Sequence, residues 1–173
     1  MATRTRLAAA VSLAAAVSLL TAGCTADTHH QTPGPRTAAG SPGSDGTPGR
    51  ADVDVYGAEL SITDAVAHLD RSGNGTLAMT VRNDDGAPEH LGMVATPDGG
   101  RGVLVGGKSR EGNGSLSTAG ILLENGTKVT FGGTGPRVLL HHVRGITSRH
   151  TLPVSLQFGV AGLVRLQARV TSS

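Results

Sequence analysis

The sequence predicts an all-β fold, a β-sandwich of about seven to nine short antiparallel strands. The apolar residues recur with a short period, in runs of four to eight residues bounded by turn residues. Glycine is abundant, 26 of 173 residues, which disfavours helix. Tyr56, Phe131 and Phe158 are the only aromatic residues, so the core is to be built from Val, Leu, Ile and Ala.

In chain order, MATRTR is a short basic start, and LAAAVSLAAAVSLL follows without a charge. The apolar stretch falls short of the ~20 residues a spanning helix needs and has the layout of a secretory signal. It ends in Leu20-Thr21-Ala22-Gly23 before Cys24, a sequence that resembles a bacterial lipobox. That resemblance implies that residues 1–23 are a lipoprotein signal peptide and that the thiol of Cys24 carries a diacylglyceryl group, with acylation (palmitate) of the new amine. Cys24 is the single cysteine, so no intrachain disulfide forms, and a thioether is safer in an exported protein than a free thiol. Two or more acyl chains anchor stably where one binds marginally. The expected location is the extracytoplasmic face of the cell membrane.

Residues 24–51 are rich in Thr, Pro, Gly, Ser and Ala and have no aliphatic side chain larger than Ala until the domain begins. Such a segment cannot bury a core and is expected to be a disordered tether, with a root-mean-square reach of roughly 25–30 Å. His29 and His30 lie in it, but two imidazoles are half a metal site.

Residues 52–173 form the predicted domain. Strands are expected at 76–83, 90–96, 101–105, 128–131, 137–143, 152–158 and 163–170. Asn74, Asn113 and Asn125 each precede Gly, a strong hairpin signal because both residues tolerate positive φ. ITDAVAHLD, residues 62–70, is open between strand and helix: Ile62, Ala65, Val66 and Leu69 also fit a helical stripe. Met79 alternates with Leu77 and Val81, and Met93 with Leu91 and Ala95, so both methionines are expected to fill core gaps.

The formal charge of +2 includes Arg4 and Arg6; without them 13 bases balance 13 acids. A neutral chain without an aromatic-rich basic patch argues against nucleic acid. The charges are unevenly placed. Residues 51–124 hold 11 acids and 5 bases, whereas 125–173 hold 6 bases and no acid. Either strands from the two halves interleave and their charges pair, or a basic face turns toward anionic lipid. Enzyme motifs are lacking: no cysteine nucleophile, no GxSxG, no GxxxxGK[ST], no HExxH. Asp84 and Asp85 are adjacent turn residues, and no catalytic role is expected.

Residues 57–170 resemble the PCu(A)C family of extracytoplasmic copper chaperones. AELSITDAVAH is similar to the family's opening strand, with Val66 where the family has Trp. LAMTVRNDDGAPEHLGMVATP is similar to its AYMTI-N-G--DRLVG-S-P stretch, LLENGTKVTF to I-IPAGG-V-F, and LPVSLQFGVAGLVRLQARV to its closing strands. The resemblance implies a cupredoxin-like β-sandwich. It also implies copper ligands in a segment F-x-P-G-G-x-H-x-M-L. Laid on FGGTGPRVLL, that segment puts Arg137 at the ligand histidine and Leu139 at the ligand methionine. The family's other two ligands fall near Val105–Gly106 and Ser115–Thr118. Cu(I) takes thioether, thiolate and imidazole, and a guanidinium repels a cation.

The sequence therefore reads as a non-enzymatic binding or assembly lipoprotein with a vacated copper site and no cofactor. Its partners are the membrane, through the anchor, and an unassigned protein. Two alternatives stand beside it. One is a working copper chaperone with relocated ligands among His90, His141, His142, His150 and the His29–His30 pair of the tether. The other is a surface lipoprotein without a dedicated ligand. Strand alternation would point His141 and His142 to opposite faces, as polar residues at a strand end.

Overall fold

The computed structural model describes residues 46–55, 57–84, 86–109 and 112–172. The signal segment, Cys24, His29, His30 and Asp85 lie outside the described residues. Eleven strands are present: β1 (Ala51–Val55), β2 (Ala58–Leu69), β3 (Gly75–Asn83), β4 (Glu89–Ala95), β5 (Arg101–Val105), β6 (Leu116–Ser117), β7 (Gly120–Leu123), β8 (Lys128–Phe131), β9 (Arg137–Leu140), β10 (Thr151–Phe158) and β11 (Leu163–Ser172). Eight of them cover the strands read from the sequence, 62–70 included; β1, β6 and β7 are additional.

Seven strands close into a barrel in the order β2-β11-β10-β4-β5-β9-β3, with β3 returning to β2. On one side of each of three strands, two others divide the length. β1 and β11 divide one side of β2, β7 and β5 one side of β4, and β8 and β9 one side of β3. The pairs are antiparallel except β2–β11, which is parallel, a departure from the all-antiparallel expectation. Closure removes the free edges that an open sheet would offer to aggregation. The core is aliphatic as expected, with Leu60, Ile62, Leu77, Leu91, Leu140 and Leu156 among its largest buried members around Phe131 and Phe158.

Residues 62–69 are strand, the second part of β2, and Asp70 opens the turn that follows. The helix-like spacing has a physical origin: the β2–β3 register shifts between Thr63 and Val66, and Asp64 takes φ 54°. The bulge inserts one residue, so Ile62 and Ala65, three apart, both point inward. A second register shift, in the β4–β10 pairing, separates the two methionines. Met79 is in the core, but Met93 is half-buried and off the face of buried Leu91.

The three Asn-Gly pairs behave differently from a hairpin rule. Only Asn74-Gly75 joins strands that pair, β2 and β3. Asn113 instead bridges two elements, donating to the Lys128 carbonyl at 3.2 Å and accepting from Glu124 N–H at 2.9 Å. Asn125 lies between β7 and β8 and donates to the Gly86 carbonyl at 3.2 Å. Gly75 itself is required: an added Cβ would stand 1.8 Å from the His68 carbonyl oxygen.

Residues 49–51, which composition assigns to the tether, join the barrel. Gly49 N–H donates to Gln167 O at 2.6 Å, its carbonyl accepts from Ala65 N–H at 3.0 Å, and Ala51 is fully buried.

At one end of the barrel the Glu89 carboxylate is buried in a nest of backbone N–H groups. Oε1 accepts from His90 at 2.6 Å, Gly159 at 2.8 Å and Val160 at 3.1 Å; Oε2 accepts from Val160 at 2.9 Å and Ala161 at 2.7 Å. One side chain thus satisfies the turn joining β10 to β11 and fixes it to β4. Glu89→Ala is expected to lower unfolding free energy by about 3–5 kcal/mol, because buried donors lose their acceptor, and Glu89→Gln by roughly half of that. Urea denaturation measures both; equal midpoints for wild type and Glu89→Ala would show that water replaces the carboxylate without loss.

Candidate functional site

Four-residue β9 is paired on both sides. Val103 stands opposite Leu139, Leu104 opposite Val138, and Val105 opposite Arg137 on the β5 side; Thr76 stands opposite Leu139 on the β3 side. Val138 is buried and Leu104 packs against the core. Alternation therefore turns Arg137, Leu139, Val103 and Val105 outward together. Gly102 allows the close approach, since a Cβ there would sit 2.7 Å from Val138 Cγ1.

The strand following β5 folds over to the same corner. A Cβ on Gly106 would lie 2.8 Å from both the amide nitrogen and the Cβ of Leu116. Gly107 N–H donates to Gly114 O at 2.9 Å, and Gly107 and Gly114 both back onto Pro136. Before Arg137 the glycine-rich turn closes on itself, Gly132 N–H to Pro136 O at 2.8 Å and Gly135 N–H to Gly132 O at 2.9 Å. Three segments distant in sequence, 103–106, 115–118 and 137–139, thus converge. They are the segments to which the family resemblance assigns copper ligands.

The side chains brought together there are aliphatic and cationic. Val103 is 50% exposed and Leu116 47% exposed; Val105 and Leu139 are half-buried, and Arg137 is exposed. None offers a thioether, thiolate or imidazole, so this donor set does not fit copper. Strands β5 to β9 carry no acid.

The histidines are not gathered. β9 ends at Leu140, so His141 and His142 lie beyond it and both are exposed. Strand alternation does not govern them: His142 takes φ 49° and its N–H donates to Asn74 Oδ1 at 2.9 Å. His90 is on β4, next to Glu89, at the other end of the barrel. The registers put Leu140 across from Gly102, at the level of Val94, so His90 and His141 are separated by roughly 16 Å of strand. His150 sits before β10, its carbonyl accepting from Val170 N–H at 2.9 Å. His68, which sequence reasoning did not single out, pairs its Nδ1 with Thr171 Oγ1 at 2.8 Å. Among the described residues no three His, Cys, Asp or Glu side chains come close enough to hold a metal ion.

The comparisons give the fold. The apo PCuAC domain from PmoF1 superposes with a TM-score of 0.57 at 21% identity, covering 72% of this chain and 99% of that domain. The copper-bound PCuAC domain from PmoF2 gives 0.53 at 20% identity, covering 72% and 98%. The apo PmoF2 domain gives 0.54 at 22%, covering 70% and 94%. The chain has the PCuAC fold. No family model and no curated protein matches the sequence. One of these domains holds copper.

The charges of the two ends differ. The Glu89 end carries Asp54, Glu59, Asp84 and Glu124 against Arg82, Lys108, Lys128 and Arg137, a balanced set. The opposite end, formed by turns 70–74 and 96–100 and loop 141–150, carries Arg71, Arg101, Arg144 and Arg149 against Asp70 and Asp98. The halves of the sequence do interleave, since β11 pairs with β2 and β10 with β4. Their charges meet little: between described residues, Arg50–Asp52 and Arg82–Asp84 are local pairs, and Arg169–Asp64 at 3.8 Å joins the halves.

Asp70 is a structural residue of the basic end. Its Oδ1 accepts from Ser72 Oγ at 2.6 Å, Ser72 N–H at 2.8 Å and Asn74 N–H at 2.9 Å. The Ser72 hydroxyl first, then the Asn74 amide, hold its carboxyl below the ordinary aspartate value of 3.8. The ionised form is favoured in the folded state, so its contribution is present above the unfolded value and lost as pH falls through the lowered one. An NMR carboxyl titration is expected to place Asp70 below 3.8, and Asp70→Asn to make the acid-side fall in Tm shallower; a midpoint at or above 3.8 contradicts the hydrogen-bonded turn.

Proposed function

We propose that this chain is a non-enzymatic binding or assembly lipoprotein, anchored through Cys24 on the extracytoplasmic face of the membrane. Its PCuAC-like barrel keeps the scaffold of a copper chaperone while the copper corner has become a contact surface. The observation that carries this reading is the β5–β9 register: it stacks Val103 on Leu139 and Val105 on Arg137 where the resemblance expects imidazole and thioether. Aliphatic side chains half in water at a glycine-tightened corner suit contact with another apolar surface. A cation would meet no soft donor there and would be repelled by Arg137.

Isothermal titration of the mature chain with Cu(I) under reducing conditions is expected to give no tight one-to-one complex, and His141→Ala to leave the titration unchanged. A tight complex weakened at least tenfold by His141→Ala, about 1.4 kcal/mol, would establish a relocated copper site instead.

For the anchor, mass spectrometry of the membrane-extracted protein is expected to find an acylated Cys24 at the mature N-terminus, and Cys24→Ala to release the protein from the membrane fraction. An unmodified thiol at Cys24 would overturn the lipoprotein reading.

A further inference from the structure

We infer that the basic end of the barrel docks on anionic phospholipid headgroups through loop 141–150, with Ile146 entering the bilayer interface. The loop reads HHVRGITSRH and has two arginines and three histidines but no acid. Arg144, Arg149 and the histidines are exposed, and Ile146, near its middle, is 44% exposed. An aliphatic side chain among cations suits a surface of anionic headgroups over an apolar interior.

The loop is held rather than loose. Val143 N–H donates to Gly73 O at 2.9 Å, Thr147 N–H to Thr151 O at 2.8 Å, and His150 N–H to Thr147 O at 3.0 Å. Gly145, at φ 77°, packs on Pro97, where an added Cβ would come within 2.7 Å. Ile146 therefore stays exposed in an ordered backbone instead of folding inward. The carboxylates that face this end are Asp70 and Asp98. Asp70 already accepts three hydrogen bonds within its own turn. Asp98 belongs to the turn Pro97–Gly99 beneath Gly145, close in sequence to Arg101.

Gly49 is bonded to Gln167 and His150 to Val170, both on β11, and β11 meets the start of β10 through Arg169–Thr151 and Gln167–Pro153, so the loop's end and the start of the described domain share one strand. The Glu89 end, where Lys108 and Arg137 offset its acids, has no comparable excess of cations to offer an anionic surface. The inference takes from the proposed anchor only its nearness to a bilayer; the loop's chemistry stands without it.

The test uses the mature chain with Cys24→Ser, so that no acyl group contributes. Co-sedimentation at low salt is expected with vesicles of equimolar phosphatidylcholine and phosphatidylglycerol, and not with phosphatidylcholine alone. Arg144→Gln and Arg149→Gln are each expected to lower partitioning about fivefold, and Ile146→Ser by a similar factor. Val160→Ser, on the exposed turn at the opposite end, is expected to change nothing. Ile146→Cys labelled with a polarity-sensitive fluorophore is expected to shift to the blue on the anionic vesicles only. Equal binding to both vesicle types, binding to neither, or indifference to the arginine substitutions overturns the inference. So does full competition by inorganic phosphate at matched ionic strength, which would mark a small-anion site. Because the probe chain is unlipidated, failure here leaves the anchor standing, and failure to find acylated Cys24 leaves the vesicle result standing.

Discussion

The placement of β9 is the constraint on which the rest depends. A strand of four residues is hydrogen-bonded to β5 on one side and to the first residues of β3 on the other. With both neighbours fixed, its alternation has no freedom: Val138 and Leu140 fill the core, and Arg137 and Leu139 face out. Slipping the register by one residue would bury a guanidinium and expose two core aliphatics, at a cost far above the stability of a domain this size. The same placement sets where the chain leaves the barrel, and so where loop 141–150 emerges.

Two devices hold the ends of the barrel. At one end the Glu89 carboxylate collects backbone N–H groups from the turn between β10 and β11, which satisfies both its buried oxygens and the donors of the turn. At the other, Asp70 organises the β2–β3 turn, Asn74 passes a hydrogen bond to His142, and Gly73 passes one to Val143. The polar side chains at the ends are thus occupied in shaping turns. Also outward are Val103 and Leu116 at the corner, and Ile146 and the arginines at the loop.

A fold can outlast its ligand set. The backbone devices of the corner, the glycine-rich turn before β9 and the close approach of Gly106 to Leu116, do not require a metal; they are satisfied by main-chain hydrogen bonds and by the absence of Cβ atoms. In the proposed reading a guanidinium and an isobutyl group stand in that frame where a copper chaperone would use imidazole and thioether, which changes what it can hold. The proposed role therefore rests on side chains, whereas the likeness to PCuAC domains rests on backbone.

Composition and periodicity alone determined that this chain is all-β with an aliphatic core, because alternating Val and Leu runs between glycine-rich turns have no stable alternative packing. The order of the motifs also set the expectation that Arg137 and Leu139 stand at the family's ligand positions. Local pattern failed where one extra residue resets a face. The bulge at Asp64 imitates a helix, and the shift beside Phe158 moves Met93 off the core face. It failed again where Asn113 and Asn125 spend their amides on distant carbonyls instead of on hairpins. Only the tertiary structure decided which segments meet: β5 with β9 at the corner, and His90 and His141 at opposite ends. Pairing between strands far apart in sequence is fixed by barrel closure and shared burial, and no local signal encodes it.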